Sequence, residues 1–341
     1  MPATTLEKPL PDEAMIASLR ELGLLADRES ARFEMLTGGV SSDIWRVAAD
    51  GRTYCVKRAL ARLKVAADWY APVERNLFEV AWYQVANELV PGSAPRVLAH
   101  DDDAMLCVME YLEPDTHRLW KDELHGGRAD SLVAAQAGDR LGRIHAGSAD
   151  NPAIHARFPR TDIFYAIRLE PYLEATAARH PDLDTKLYAL CRRTADMRRV
   201  MIHGDVSPKN ILLGPSGPVL LDAECACIGD PAFDIAFCLN HFLLKCLWTP
   251  SAQDDFVACF AAMTSAYLAQ VCWERCDALE ARAASLLPGL LLARVDGKSP
   301  VEYVTNAEDK DRVRHCARAL LVRPPQRLDQ VAQAWTKELM K

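Results

Sequence analysis

The feature that most constrains this chain lies near its middle, where two apolar tripeptides, Ile211-Leu212-Leu213 and Val219-Leu220-Leu221, flank Gly214-Pro215-Ser216-Gly217-Pro218. Two short apolar runs around Gly, Pro and Ser are the pattern of a β-hairpin. Pairing Leu212 with Leu220 sets Asn210 opposite Asp222 at the open end of the hairpin. Asp205 sits on the tight loop just before it. Three oxygen-bearing side chains then converge within one short segment. Such a group suits Mg²⁺, a hard ion that takes one or two carboxylates together with substrate phosphates and water. A carboxylate near the metal but not consumed by it, here Asp205, can accept the proton of an attacking hydroxyl.

The rest of the chain narrows the setting. Its 341 residues are too many for one small domain, and half of them are hydrophobic. A two-lobed unit or two modest domains is therefore expected. The formal net charge of −7, with no dense Lys/Arg run, argues against a nucleic-acid partner. The eleven cysteines are an odd number, and Met1 to Leu10 lacks a basic segment followed by an apolar core. Reduced, mostly buried thiols and a cytoplasmic protein without a membrane span are expected. Cys225 with Cys227, and Cys272 with Cys276, have no matched second pair of the kind that zinc needs.

Periodicity divides the chain near Glu110. Residues 1–30 form an amphipathic lead-in, helical over Met15 to Leu25. Phe33–Leu36, Ile44–Val47 and Thr53–Val56 are short strand-like runs punctuated by Gly38-Gly39 and Asp50-Gly51. Phe78, Ala81, Trp82, Val85 and Leu89 then mark one helical face, closed by Pro91-Gly92. Two more strands, Arg96–Ala99 and Met105–Met109, surround an acidic turn. Beyond Leu112 helical patterns dominate, over 131–146, 163–200, 232–247, 252–292 and 325–340. Only the two hairpin runs look like strands there. The expected architecture is α+β, with a small β-rich lobe over residues 1–112 and a larger, mostly helical lobe over residues 113–341.

His203-Gly204-Asp205-Val206-Ser207-Pro208-Lys209-Asn210 resembles the H-G-D-x-x-x-x-N catalytic loop of the aminoglycoside phosphotransferase/choline kinase superfamily. The segment Leu221-Asp222-Ala223-Glu224, followed by Gly229-Asp230-Pro231-Ala232-Phe233-Asp234, is similar to that family's metal motif and the helix start behind it. Protein kinases carry Arg where Gly204 stands, and no D-F-G or A-P-E segment follows Asp222. The resemblance implies a two-lobed protein-kinase-like fold and a Mg²⁺-dependent enzyme that uses ATP, or GTP, to phosphorylate a hydroxyl of a small molecule. It makes Asp205 the base and gives Mg²⁺ to Asn210 and Asp222. Glu224 stays open between a place at the metal and a solvated surface acid. His203 and Asp234 are expected to brace the loop rather than to react.

On the nucleotide side the resemblance makes Lys57, at the end of a strand, the lysine on the α- and β-phosphates. Glu79 is its expected partner on the next helix, with Glu74 as the alternative. Gly38, Gly39, Ser41 and Ser42 join the first two strands, where backbone N–H groups and hydroxyls can approach phosphate oxygens. Glu110 and Leu112 mark the hinge whose backbone would meet the adenine edge. The acceptor is expected to face Asp205 from Phe164–Tyr172, with Arg168, Glu170 and Tyr172, and from Leu292–Tyr303, with Arg294, Asp296 and Lys298. Tyr165, Tyr172, Trp248 and Tyr303 are the aromatics available for a cage around a quaternary amine. No partner other than a nucleoside triphosphate and a small hydroxylated substrate is implied. A second reading is a nucleotide-binding regulator that keeps the fold without turnover.

Overall fold

The computed structural model describes residues 10–26, 31–36, 41–62 and 70–341. Its first part contains helix α1 (Glu13–Glu21), strands β1 (Arg32–Met35), β2 (Ser42–Ala49) and β3 (Arg52–Ala59), helix α2 (Arg75–Leu89), and strands β4 (Val97–Asp101) and β5 (Leu106–Glu110). The five strands form one antiparallel sheet in the order β1-β2-β3-β5-β4. Side chains alternate across a strand, and this sheet uses both faces. Trp45, Val47, Tyr54, Val56, Leu106 and Val108 pack against Met15, Ile16 and Leu19 of α1 in one small core. Cys107 and Met109 point the other way, into the main core that includes Phe78, Trp82 and Val85 of α2. Lys57, next to Val56, therefore faces α2 rather than α1.

The second part is mostly helical. It runs β6 (Arg118–Leu119), α3 (Trp120–His125), α4 (Ser131–Ser148), α5 (Pro152–His155), α6 (Asp162–Phe164), a π-helical stretch Tyr165–Glu174, α7 (Ala175–Arg179) and α8 (Asp184–Asp196). Then come β7 (Val200–Ile202), β8 (Ile211–Gly214), β9 (Gly217–Leu220), β10 (Cys227–Gly229), α9 (Pro231–Trp248), α10 (Gln253–Leu268), α11 (Cys276–Asp296), α12 (Ala307–Val322) and α13 (Leu328–Leu339). The fold is the two-lobed α+β arrangement expected. All eleven cysteines are free and eight are buried, as the odd count implied. No helix among the described residues is long and apolar enough to cross a membrane.

Several local expectations are corrected. The hairpin pairs Leu212 with Val219, not with Leu220, because Gly214 and Gly217 form the last rung around a two-residue turn. Gly217 adopts φ 102°, a conformation that side chains disfavour. Asn210 consequently lies opposite Leu221, whose N–H donates to the Asn210 carbonyl, and Asp222 sits one residue further on. Two short strands, β7 and β10, pair with each other where no strands were expected. The run 252–292 is two helices rather than one, and α11 continues to Asp296, so Arg294 and Asp296 stand on its last turn. Helix α12 was not foreseen, because its sequence is too polar to show a strong apolar stripe.

Candidate active site

The loop after β7 is fixed from behind. Asp234, on the first turn of α9 and fully buried, accepts hydrogen bonds from the backbone N–H of His203 at 2.7 Å and of Gly204 at 2.8 Å. Gly204 has φ 77°, and a Cβ there would strike the Cβ of Cys225 at 2.7 Å. Only glycine serves at this position. His203 is buried too. The Asp205 N–H donates to its Nδ1 at 3.2 Å, so Nε2 carries the proton and donates to the Leu221 carbonyl at 3.0 Å. Burial holds this imidazole below its ordinary pKa, although the Asp234, Asp205 and Asp222 charges pull the other way. A neutral histidine with both nitrogens occupied is a brace, and the same holds for Asp234.

Asp205 is almost wholly buried. Its Oδ2 lies 2.7 Å from Arg168 Nη2 and 3.2 Å from Lys209 Nζ, and accepts from Asn210 Nδ2 at 2.8 Å. Burial alone would raise its pKa, but Arg168 and Lys209 outweigh that, and the carboxyl is held below the usual range. Asp205 is thus an ionised acceptor. Arg168 comes from the π-helical stretch, and its Nε donates to the Gly204 carbonyl at 2.9 Å. One guanidinium therefore holds both the loop backbone and its carboxylate. Sequence reasoning had put Arg168 in an acceptor pocket but had not seen this bond, which joins residues far apart in the chain.

Asp222 leaves the hairpin with φ 66°, a left-handed conformation that is rare for residues with a Cβ. Its Oδ1 meets Lys57 Nζ at 2.5 Å, and the same ammonium reaches Glu79 Oε1 at 2.7 Å. Glu79, not Glu74, is the partner of Lys57. Tyr83, one helical turn past Glu79, closes a ring: its hydroxyl donates to Glu79 Oε1 and accepts from the Asp222 N–H, both at 2.7 Å. Burial works against the Lys57 charge, but Asp222 and Glu79 more than offset it, so the ammonium keeps its proton well past its ordinary pKa. Burial likewise raises the Asp222 carboxyl, and Lys57 with Lys209 reverses that and drives it well down. The i, i+4 spacing of Glu79 and Tyr83 was visible in the sequence; their common target was not.

Glu224 is no solvated acid. It is buried and its Oε2 accepts from Arg75 Nε at 2.9 Å. Arg75 is wholly buried and also donates to the carbonyls of Ala71, Pro72, Ser41 and Leu60. It ties the start of β2 and the end of β3 to the segment after Asp222, and nothing in its local sequence marked it. Gly38 and Gly39 lie outside the described residues. Ser41 and Ser42 are buried, Ser42 opposite Ala59 in the sheet. Glu110 ends β5 and its Oε1 accepts from the Arg96 N–H at 2.8 Å, with Leu112 two residues on.

The two acceptor segments do meet. Lys298 N–H donates to the Pro171 carbonyl at 2.9 Å, and Arg294 Nη1 to the Tyr172 hydroxyl at 2.9 Å. Asp296 turns away to His180 and Arg314, and Glu170 pairs with Lys298 near the surface. Tyr165 bonds Glu174 instead of facing the loop. Two surface hollows, of about 300 and 360 Å³, lie elsewhere, against the hairpin turn and between α8 and α11.

As for fit to a metal, Asn210 spends its amide nitrogen on Asp205 and Asp222 spends one oxygen on Lys57. The Asn210 carbonyl and the second Asp222 oxygen are hard donors of the type Mg²⁺ prefers. A group of three or more His, Cys, Asp or Glu side chains able to hold a metal is absent among the described residues. Phosphate and water oxygens are the other ligands that this ion usually takes.

The model of the phosphotransferase enzyme family matches residues 32–279. Methylthioribose kinase 2 of Oryza sativa subsp. japonica is 23% identical over 270 residues, which is 70% of this chain and 63% of that protein. The chain thus spans under two thirds of that relative. Among solved structures, a choline/ethanolamine kinase family protein from Mesorhizobium loti superposes with TM-score 0.55 at 16% identity, covering 95% of this chain and 99% of that one. An amicoumacin kinase solved with AMP-PNP and Ca²⁺ gives TM-score 0.55 at 16% identity, covering 93% and 95%. These likenesses are of fold.

Proposed function

We propose that this chain, which belongs to the phosphotransferase enzyme family, is a small-molecule kinase that moves the γ-phosphoryl group of ATP, or of GTP, to an acceptor hydroxyl. The observation that carries this reading is the convergence of four side chains from two lobes: Lys57 reaches Asp222 across the cleft, and Asp205 meets Asn210 beside it. Asp205 receives the hydroxyl proton, because Arg168 and Lys209 keep it ionised and aimed. Lys57, held by Glu79, binds the α- and β-phosphates once Asp222 turns to the metal. Asn210 and Asp222 hold Mg²⁺, with Glu224 nearby under the grip of Arg75. The bound ion would supply charge neutralisation on the β- and γ-phosphate oxygens. Ser41 and Ser42 lie on the phosphate side of this reading, and the backbone from Glu110 to Leu112 meets the adenine.

Replacing Asp205 by Asn tests the base. Turnover should fall by about 10²–10⁴-fold while Mg·ATP still binds. Asp222→Ala should instead weaken Mg·ATP in a calorimetric titration. Full turnover in the first variant removes Asp205 from its role, and wild-type affinity in the second removes Asp222 from the metal. Nucleotide binding with no phosphorylated product across a broad acceptor screen would favour the regulator reading.

A further inference from the structure

The acceptor side of the site is built from cations, in a chain whose formal charge is −7. Arg168 and Lys209 stand at Asp205. Next to them Tyr172 carries the guanidinium of Arg294, 5.5 Å from its ring centre. Along the same face of α9 lie Phe237, His241, Lys245 and Trp248, at intervals of four, four and three residues, which brings them onto one stripe. Phe237 packs on both Tyr172 and His241. The Lys245 ammonium sits 4.3 Å from the Trp248 ring centre and 5.0 Å from that of Tyr303, and Lys121 of α3 reaches the same indole at 5.9 Å.

Three facts make this wall unlike a structural salt-bridge network. Lys245 is 1% exposed, and among the described residues its ammonium makes no hydrogen bond or close ion pair, lying instead over those two aromatic rings. Buried hydrogen-bonding atoms beside it have no partner: Arg294 Nε, His241 Nε2 and the Tyr303 hydroxyl. The acids in range are few. Glu302 is already paired with Lys121, and Asp122 is exposed. A buried cation without a partner is costly, and here burial, with Lys121 adding to it, pulls the Lys245 pKa down to about 7. The charges of Arg294, Lys245, Lys209 and Lys121 also add to burial in holding His241 neutral. These groups therefore share one electrostatic space with Lys209, which touches the base.

The same geometry argues against a cationic acceptor. The stacked pair Trp248 and Tyr303, centroids 4.4 Å apart, is the obvious start of an aromatic cage. Its cation position is filled by the protein's own Lys245. Tyr172 is likewise covered by Arg294. An amine arriving at these two rings would meet the protein's own cations.

We propose that the acceptor alcohol carries an anionic group, a carboxylate or a phosphate, remote from the hydroxyl that is phosphorylated, and that Lys245, Arg294 and Lys121 bind that group. This names the substrate class for the phosphotransfer reading given above and rests on it. The hydroxyl end lies at Asp205 and Lys209. Lys245 is eleven residues beyond Asp234 along α9, so the wall extends about 16 Å from the loop's anchor.

Calorimetry with inorganic phosphate and with glycerate as probes tests the anion site directly, using the full chain with and without saturating Mg·AMP-PNP. Wild type should bind both probes. Lys245→Met, which removes a strained charge and should fold, should weaken them at least ten-fold, and Arg294→Gln should act in the same direction. Glycerol and choline should bind neither form better than the anions. Turnover with matched pairs (gluconate against glucitol, ribose 5-phosphate against ribose) should be at least ten-fold faster in kcat/KM for the anionic member, and the faster pair tells carboxylate from phosphate. Phosphate and glycerate that fail to bind wild type, a Lys245→Met variant that binds them undiminished, or anionic acceptors no faster than their neutral partners would each overturn the proposal. Failure to bind Mg·AMP-PNP counts against the kinase reading alone, since the probe titrations also run without nucleotide.

Discussion

Asp234 holds the loop from behind, and Asp234→Asn probes that hold with little change in shape. Asp234 uses Oδ2 for the His203 N–H and Oδ1 for the Gly204 N–H, with His145 Nε2 a further 3.3 Å contact. An asparagine offers one accepting oxygen. Its amide nitrogen must then point a donor at the other backbone N–H, which stays buried without a partner. Leaving one such group unsatisfied costs about 1–3 kcal/mol, and losing the charge from the remaining bond adds to that. The expected total is about 2–4 kcal/mol, read as a lower midpoint in urea unfolding with unchanged slope. Because Asp205 is the next residue after Gly204, a loop that loses an anchor also misplaces the proposed base. Misplacement by about 1 Å is worth about 10²-fold in rate, so kcat should fall by that order while Mg·ATP affinity changes less than about three-fold. Hydrogen exchange supplies an acceptor-independent readout: the His203 and Gly204 amides should lose protection. A variant within about 0.5 kcal/mol of wild type, with both amides still protected, would refute the account.

Two further outcomes follow from particular bonds. Tyr83→Phe removes the hydroxyl between Glu79 and the Asp222 N–H; it should destabilise by about 1–2 kcal/mol and weaken Mg·ATP, and a variant with wild-type affinity would cut Tyr83 out of the ring. Lys245 gives a pH signature. Its pKa of about 7 lies below the ordinary lysine value, because burial and Lys121 outweigh Glu302, Asp122 and the Cys238 thiol, while His241 beside it is neutral. Between those two pKa values the unfolded chain binds the extra proton, so wild-type stability should rise from about pH 7 towards pH 10. Lys245→Met should then be the more stable form below pH 7, by up to about 5 kcal/mol, with the gain fading as pH rises. Parallel stability–pH curves for the two proteins would contradict this.

Local chemistry was legible in the sequence and distant pairing was not. Gly204, Asp205, Asn210 and Asp222 fall in one short stretch, where turn chemistry and apolar runs fix the chain path, and the structure brings all of them to one end of the hairpin. The one-residue slip in register came from reading Gly214 to Pro218 as loop. Glycines at 214 and 217 can pair as well as turn, and sequence alone does not decide between the two. Asp222 still arrives near its expected place because its left-handed backbone re-aims it as it leaves the strand. The choice of Glu79 over Glu74 was recoverable because Glu79 follows Phe78 on the helical face turned to the sheet. Arg75 and Arg168 were not recoverable in their roles. Each acts through backbone carbonyls and acids brought in from remote segments, and such contacts leave no periodic trace.

Under the proposed function, the cations around Asp205 connect catalysis to selectivity. A carboxylate as deeply buried as Asp205 would take up a proton at neutral pH unless positive charge stood beside it. An enzyme acting on a cationic acceptor can let the substrate contribute some of that charge, and then line the pocket with acids. Here the protein supplies it from its own chain, through Arg168 and Lys209, and extends the same sign through Arg294 to Lys245 and Lys121. On the proposed reading, with Asp205 already compensated, a cationic acceptor meets net repulsion, at a site where low dielectric makes repulsion large. An anionic acceptor brings what the wall lacks: a counter-charge for a desolvated lysine and acceptors for the idle Arg294 Nε–H and Tyr303 hydroxyl. On this reasoning, swapping the sign at Lys245 and Arg294 together would not by itself yield a kinase for amines. The charges that repel the amine nearest the reacting hydroxyl are the ones that keep Asp205 a base.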